Sequence, residues 1–292
     1  MSRGGFIAAR DEARELLEAA SGDEFMLDAL LKRRETGEPL AWIVGRTRFC
    51  DIDVLIHPGV FIPRPHTEHI AHCANHVLSD SGRAVDVCTG SGAVAIALMH
   101  RHPRARVIGT DIDRHAVRCT RANGVDARFG DLFQPVPAAW RGRVDLVTAV
   151  VPYVPTPQLR FLQRDTFSFE TSRAYDGGRD GTEVLSRVIS EAARVLRPGG
   201  NLVCELGGDQ LSVISRLLER CGYINVRAIR DEEGDLRGFA ATAATSPQDT
   251  RPSRCFDCRI YCGRTAPIHG VRHARWTGST GGTPSRGVCH AG

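Results

Sequence analysis

Val85-Asp86-Val87-Cys88-Thr89-Gly90-Ser91-Gly92-Ala93 decides the reading of this chain. A short apolar run of strand character ends in a loop with two glycines, and the apolar spacing over 93–102 predicts a helix directly behind it. Glycines at such a strand-to-helix turn let the backbone bend sharply and pass close to a ligand. Asp111 stands 19 residues after Gly92, at the end of the next β-like run, where an acid accepts hydrogen bonds from both hydroxyls of a ribose. Many loops contain Gly-x-Gly; the strand before it, the helix after it and the acid on the next strand make this one selective for a nucleotide-type ligand. Asp86, Thr89, Gly90, Gly92, Asp111 and Ile112 are the binding candidates on these two strand ends.

Outward from that loop the chain alternates. Strands are expected at 84–87, 107–110, 127–129, 146–150 and 201–206, with a late pair near 224–229 and 239–244. Helical spacing separates them at 93–102, 114–122, 182–196 and 210–221, the third stopped by Pro198-Gly199-Gly200. Alternation of this kind predicts an α/β fold with a doubly wound, mostly parallel sheet covered on both faces. Upstream, 8–35 reads as one or two helices broken at Ser21-Gly22-Asp23, a stop followed by an N-cap. The Gly/Pro-punctuated stretch 37–65 carries β-like pieces at 41–44 and 48–61 and suggests a hairpin linker.

Two ligands suit the loop. A dinucleotide normally wants a third glycine three positions after the second, to admit its pyrophosphate; here Ala95 stands there, which the pattern tolerates. The sequence also supplies Gly130-Asp131-Leu132-Phe133 after the third strand, where Asp131 can accept from an adenine amino group and Leu132 can pack on the ring. This favours S-adenosylmethionine, and methyl transfer, over a hydride carrier.

Composition narrows the field further. Apolar residues at 42% and charged residues at 25% suit a globular chain, and no uncharged apolar run reaches the roughly 18 residues of a membrane span, so a cytoplasmic protein is expected. The net charge of +4 is misleading, because residues 251–292 hold seven arginines against one acid and the remainder is slightly acidic. The body therefore offers no basic stripe for nucleic acid. Six cysteines scattered through the α/β region (Cys50, Cys73, Cys88, Cys119, Cys204, Cys221) read as reduced thiols.

Several further pieces resemble one family. They are Gly37-Glu38-Pro39-Leu40-Ala41 with Gly45, Phe61-Ile62-Pro63-Arg64-Pro65-His66-Thr67-Glu68, the Gly90/Gly92 loop, Pro152-Tyr153, Phe169-Glu170, Asp176-Gly177-Gly178-Arg179-Asp180-Gly181 and Leu196-Arg197-Pro198-Gly199-Gly200. Over about residues 27–244 the chain resembles the class I methyltransferases that modify the glutamine side-chain nitrogen of peptide chain release factors. The resemblance implies a Rossmann-like catalytic domain, a helical N-terminal domain that recognises the protein substrate, and a β-hairpin linker. It implies that Gly90, Gly92, Asp111, Asp131 and Leu132 contact the cofactor, that Phe61, Pro63, Arg64 and Pro65 lie near its entrance, and that Pro152 and Tyr153 shape the acceptor pocket.

The chain departs from the family pattern in three ways. The family's Asn-Pro-Pro-Tyr stands here as Val150-Val151-Pro152-Tyr153, so the amide that would aim the target nitrogen is missing. About 35 residues precede Gly37, fewer than in the family's helical domain. Cys88 replaces a usual glycine and His66 a usual acid, exchanges expected to be tolerated. The expected chemistry is direct displacement at a sulfonium methyl without covalent nucleophile or metal. The acceptor is a release-factor glutamine or, alternatively, a small molecule with a better nucleophile; a catalytically silent binder is the third reading.

The expected organisation is a partial helical domain at 1–36, hairpin linker and first helix at 37–80, catalytic domain at 81–246 and a disordered basic tail at 247–292. Cys255, Cys258, Cys262, His269, His273 and Cys289 in the tail include one Cys-x-x-Cys step of metal-ligand spacing that Cys262 and His273 could complete as a tetrahedral zinc site, the alternative to a disordered tail, but the other spacings match no common finger. His66, His69, His72 and His76 recur at helical steps and read as a solvated face. No metal ligand is assigned.

Overall fold

The computed structural model describes residues 9–162 and 169–245; the tail, with its cysteines and histidines, lies outside the described residues. Seven strands form one sheet in the order β5-β4-β3-β6-β7-β9-β8: β3 (Arg83–Val87), β4 (Arg106–Asp111), β5 (Asp126–Phe129), β6 (Val144–Ala149), β7 (Leu196–Glu205), β8 (Tyr223–Arg230) and β9 (Leu236–Ala243). Strands β3 to β7 pair in parallel, and β9 enters antiparallel between β7 and β8. This is the doubly wound, mostly parallel sheet expected from the alternation. The chain order reverses between β3 and β6, the crevice where open α/β sheets place ligands.

Burial explains why these strands read as near-continuous apolar runs. Side chains alternate across a strand, and here both sides are covered. Val85, Val147 and Leu202 join one buried cluster with Leu185, Val188 and Ile189 of a helix at Glu183–Ala192 (α7), whereas Ala84, Leu146 and Val203 join another with Val94, Leu98 and Ile70. Those last three come from helices α5 (Ala93–Arg101) and α4 (Glu68–Val77). Helix α6 (Arg114–Ala122) starts at Asp113, whose carboxylate caps the His115 N–H at 2.8 Å. Helix α8 (Gln210–Arg220) packs on β8.

The N-terminal helices α1 (Ala9–Ala20) and α2 (Glu24–Glu35) break at Ser21-Gly22-Asp23 as expected. Ser21 and Gly22 take left-handed φ values of 51° and 86°, and Asp23 accepts the Phe25 and Met26 N–H groups. Leu16, Ala20, Leu30 and Ile43 close a small core between these helices and α3 (Leu40–Val44).

Three expectations need correction. Residues 41–44 are helical rather than β-like, because Pro39 starts a turn that lets Trp42 and Ile43 face inward together, and Gly45 ends it at φ 76°. The β-like run 48–61 reduces to a hairpin, β1 (Arg46–Phe49) and β2 (Ile52–Leu55); beyond it Pro58, Pro63 and Pro65 have no N–H for a ladder. The helix expected over 182–196 ends at Ala192, and Leu196 already pairs with Val144, so Pro198-Gly199-Gly200 lies within an irregular start of β7 instead of capping a helix.

Candidate active site

The cofactor candidates gather at the carboxyl ends of β3, β4 and β5. Asp86, 2% exposed, accepts Thr89 Oγ1 at 2.6 Å and Thr148 Oγ1 at 2.7 Å, which ties the loop after β3 to β6. Burial raises its pKa to about 6 against the lowering pull of the two hydroxyls. Gly92 caps α5 at φ 86°, and a side chain there would meet Thr120 Cγ2 at 2.8 Å. Gly90, at φ 58°, has nothing within 4 Å of where a Cβ would stand, so its outer side is open to a ligand.

Asp111 closes the frame. Its Oδ2 accepts the Gly90 N–H at 3.0 Å and its Oδ1 the Asp113 N–H at 2.8 Å, while Thr120 Oγ1 donates to the Gly90 carbonyl at 2.8 Å. A carboxylate offers about four acceptor positions, so two remain for hydroxyls. Burial holds Asp111 above the usual carboxylate range, against those N–H groups. Ile112 beside it is exposed, a free apolar flank. Asp131 is engaged: its Oδ2 accepts Arg187 Nη2 of α7 at 2.7 Å, which leaves Oδ1 for a ligand. Leu132 is buried at a left-handed φ of 44°.

Cys88 lies in the middle of this group. Burial first, then the charges of Asp111, Asp86 and Asp131, push its thiol far above the ordinary range. It also sits at φ 56°, left-handed for a residue with a Cβ, so the glycine exchange costs backbone strain of about 1 kcal/mol.

The acceptor side is built differently. Val150 follows the last residue of β6, and its side chain packs against the apolar cluster of Ile70 and Leu146. The Pro152-Tyr153 turn is braced by main chain: Val154 N–H donates to the Tyr175 carbonyl (2.8 Å), Gly177 N–H to the Val154 carbonyl (2.9 Å) and Thr156 N–H to the Gly178 carbonyl (2.8 Å). Gln210 Nε2 donates to the Tyr153 carbonyl at 2.8 Å. At Gly181 a Cβ would stand 2.3 Å from that carbonyl, so only glycine permits the approach.

Arg64 joins this turn to the hairpin linker. Its Nη2 donates to Glu170 Oε2 at 2.6 Å and Tyr175 Oη at 2.7 Å, and its guanidinium lies 4.9 Å from the Phe61 ring centroid. The Ile62 N–H donates to Glu170 Oε1 at 3.2 Å, fixing the segment through Pro63. Glu205 was not singled out from the sequence, and Glu170 was quoted there without a role of its own. Glu205 is 2% exposed; it accepts Thr67 Oγ1 at 2.7 Å and faces His66 Nε2 at 3.3 Å. Burial and the Glu205 carboxylate hold the Tyr153 phenol above its ordinary value. A lone acid inside the apolar run 202–206 was the available signal for Glu205. Glu170 had only its position in the family pattern.

The Methyltransferase small domain family matches residues 51–135. The release factor glutamine methyltransferase of Moorella thermoacetica is 35% identical over 259 residues, covering 82% of this chain and 86% of its own. The protein of that name from Geobacter sulfurreducens is 33% identical over 211 residues, covering 70% and 73%. Among solved structures, a methyltransferase from Pyrococcus furiosus aligns at TM-score 0.49 and 20% identity over 74% of this chain and 98% of its own. A protein-(glutamine-N5) methyltransferase (release factor-specific) from Alicyclobacillus acidocaldarius aligns at TM-score 0.40 and 23% identity over 63% and 94%.

Proposed function

The chain belongs to the family of release factor glutamine methyltransferases, and we propose that it moves a methyl group from S-adenosylmethionine to a glutamine side-chain nitrogen of a peptide chain release factor. The observation that carries the cofactor is Asp111, whose two oxygens each hold a loop N–H beside an open Gly90. The residues fit the group: Asp111 takes the ribose hydroxyls, Gly90 and Gly92 let the backbone approach, Ile112 and Leu132 pack on adenine, and Asp131 accepts its amino group. When bound, the cofactor supplies an electrophilic methyl on a sulfonium.

The chain's own task is then approach geometry. The braced Pro152-Tyr153 turn offers main-chain carbonyls and an aromatic wall to the acceptor, and the Arg64–Glu170 pair holds Phe61 and Pro63 at the entrance. Exposed Phe25, Leu17 and Met26 on the N-terminal helices supply an apolar contact for a protein substrate. Val150 lacks the amide that would accept a hydrogen from the target nitrogen. That vacancy favours a second reading, in which the acceptor is a small molecule whose amine or hydroxyl needs less help.

The test is calorimetric titration of the full chain with S-adenosylmethionine, followed by mass spectrometry of a glutamine-containing release-factor peptide and of small amine acceptors. Binding with methylation of the peptide glutamine is expected. Binding with methylation of amines alone selects the second reading, and absence of binding overturns both.

A further inference from the structure

The tip of the β1–β2 hairpin and the first two turns of α4 bring three chemically different donors together. Phe49 pairs with Ile52, so Cys50 and Asp51 form a two-residue turn, both with left-handed φ values of 48° and 61°. Such turns favour Asn-Gly, and nothing in local conformational preference asks for cysteine there. The Cys50 N–H donates to Glu68 Oε1 at 2.9 Å, which docks the turn on the start of α4. His72 lies four residues beyond Glu68 and so on the same face of that helix. As a result Cys50 Sγ, a Glu68 carboxylate oxygen and a His72 ring nitrogen all lie within 4.8 Å of one another, each residue half-buried.

We propose that Cys50, Glu68 and His72 form a site for one divalent transition-metal ion of zinc type, which clamps the hairpin tip to helix α4. Thiolate, carboxylate and imidazole are the donor set zinc selects, and two anionic ligands with one neutral one balance its charge. Around a tetrahedral zinc, with bonds of about 2.0 to 2.3 Å, ligand atoms stand about 3.3 to 3.8 Å apart, so a side-chain adjustment of roughly 1 Å closes the shell. One Glu68 oxygen already serves the turn, and the carboxylate has a second to offer. Of the neighbouring histidines, His66 Nε2 faces Glu205 at 3.3 Å and His76 Nδ1 bonds to the His72 carbonyl. The other end of the hairpin is already fastened, since Asn123 of the α6 C-cap exchanges two 2.9 Å hydrogen bonds with the Leu55 main chain. An ion at Cys50 secures the remaining end. The site is independent of the acceptor and of the cofactor.

The experiment counts zinc on the full-length chain after chelator treatment, reloading and dialysis under reducing conditions. Because Cys255, Cys258, Cys262 and Cys289 lie in the same chain, the reading is a difference. Cys50→Ser and His72→Gln should each lose one equivalent, with affinity lowered at least about 100-fold. A chain with all four tail cysteines (Cys255, Cys258, Cys262 and Cys289) changed to serine should keep that equivalent. The tail-substituted chain loaded with cobalt should show thiolate-to-metal absorption, a readout with no change at the site itself. Zinc should also raise its melting temperature. Equal zinc in both single variants and their parent, loss in only one of them, or no cobalt–thiolate absorption in the tail-substituted chain overturns the proposal.

Discussion

The two halves of the candidate active site are held by different means. Around Gly90 and Asp111 the groups that would grip a cofactor are main-chain N–H groups and one half-buried carboxylate, engaged with one another before any ligand arrives. Around Pro152 and Tyr153 the main chain is equally well braced, yet the one side chain expected to aim the acceptor is Val150, turned into an apolar cluster. Binding depends on a frame that many residues share; orientation of a poor nucleophile depends on one hydrogen bond. Valine at position 150 therefore leaves the first intact and weakens the second.

Asp111→Ala tests the shared frame and carries the largest expected effect. It removes two hydrogen bonds to ribose and leaves the Gly90 and Asp113 N–H groups unpartnered. Bonds to charged groups contribute about 1.5 to 3 kcal/mol each, so calorimetry should show S-adenosylmethionine affinity falling at least about 100-fold. Unchanged affinity would break the comparison at its first term.

Val150→Asn tests the other term. Regaining one aimed hydrogen bond in the transition state corresponds to about 3 to 4 kcal/mol, so methylation of a release-factor glutamine should rise some hundred- to thousand-fold. Cofactor affinity should stay the same. A faster reaction with small amines instead of glutamine would point to the alternative acceptor.

Asp86, a binding candidate from the sequence, already has both carboxylate oxygens engaged by the Thr89 and Thr148 hydroxyls. Its folded pKa of about 6 lies above the ordinary value of 3.8, so its contribution to stability is largest at low pH and is lost as pH rises through that window. Between about pH 4 and 6 the wild type should therefore lose up to about 2 to 3 kcal/mol relative to Asp86→Asn, measured by denaturant unfolding.

The smallest effect is expected at Cys88. Replacement by glycine relieves a left-handed backbone worth about 1 kcal/mol but gives up thiol packing. A net stability change within about 1 kcal/mol, with little change in cofactor affinity, should appear by thermal unfolding; a large loss would show that the thiol does more than fill space.

Much of this architecture was legible in the residues. Apolar runs bounded by turns located β3 to β9 within a few positions, and the glycines with Asp111 marked the candidate cofactor loop, because these signals are local. The helix at Leu40–Val44 was misread because a five-residue apolar run has no period long enough to tell helix from strand. Leu196 was assigned to the helix before it because its apolar character suits either element, and only pairing with Val144 decides. Glu205 escaped notice, and the pairing of Glu170 with Arg64 could not be foreseen, because the partners, Thr67 and Arg64, lie more than a hundred residues away.

The sequence by itself determined the doubly wound sheet and marked a candidate ligand crevice, since both are written in periodicity or in a contiguous motif, and its resemblance to the family marked Val150 as the place where an aiming amide would stand. Tertiary structure alone decided that Arg64 anchors Glu170, that Asp131 is shared with Arg187, and that Cys50 faces Glu68 and His72. Those contacts join distant segments, and chain spacing carries no information about which side chains the packed sheet and helices bring within reach.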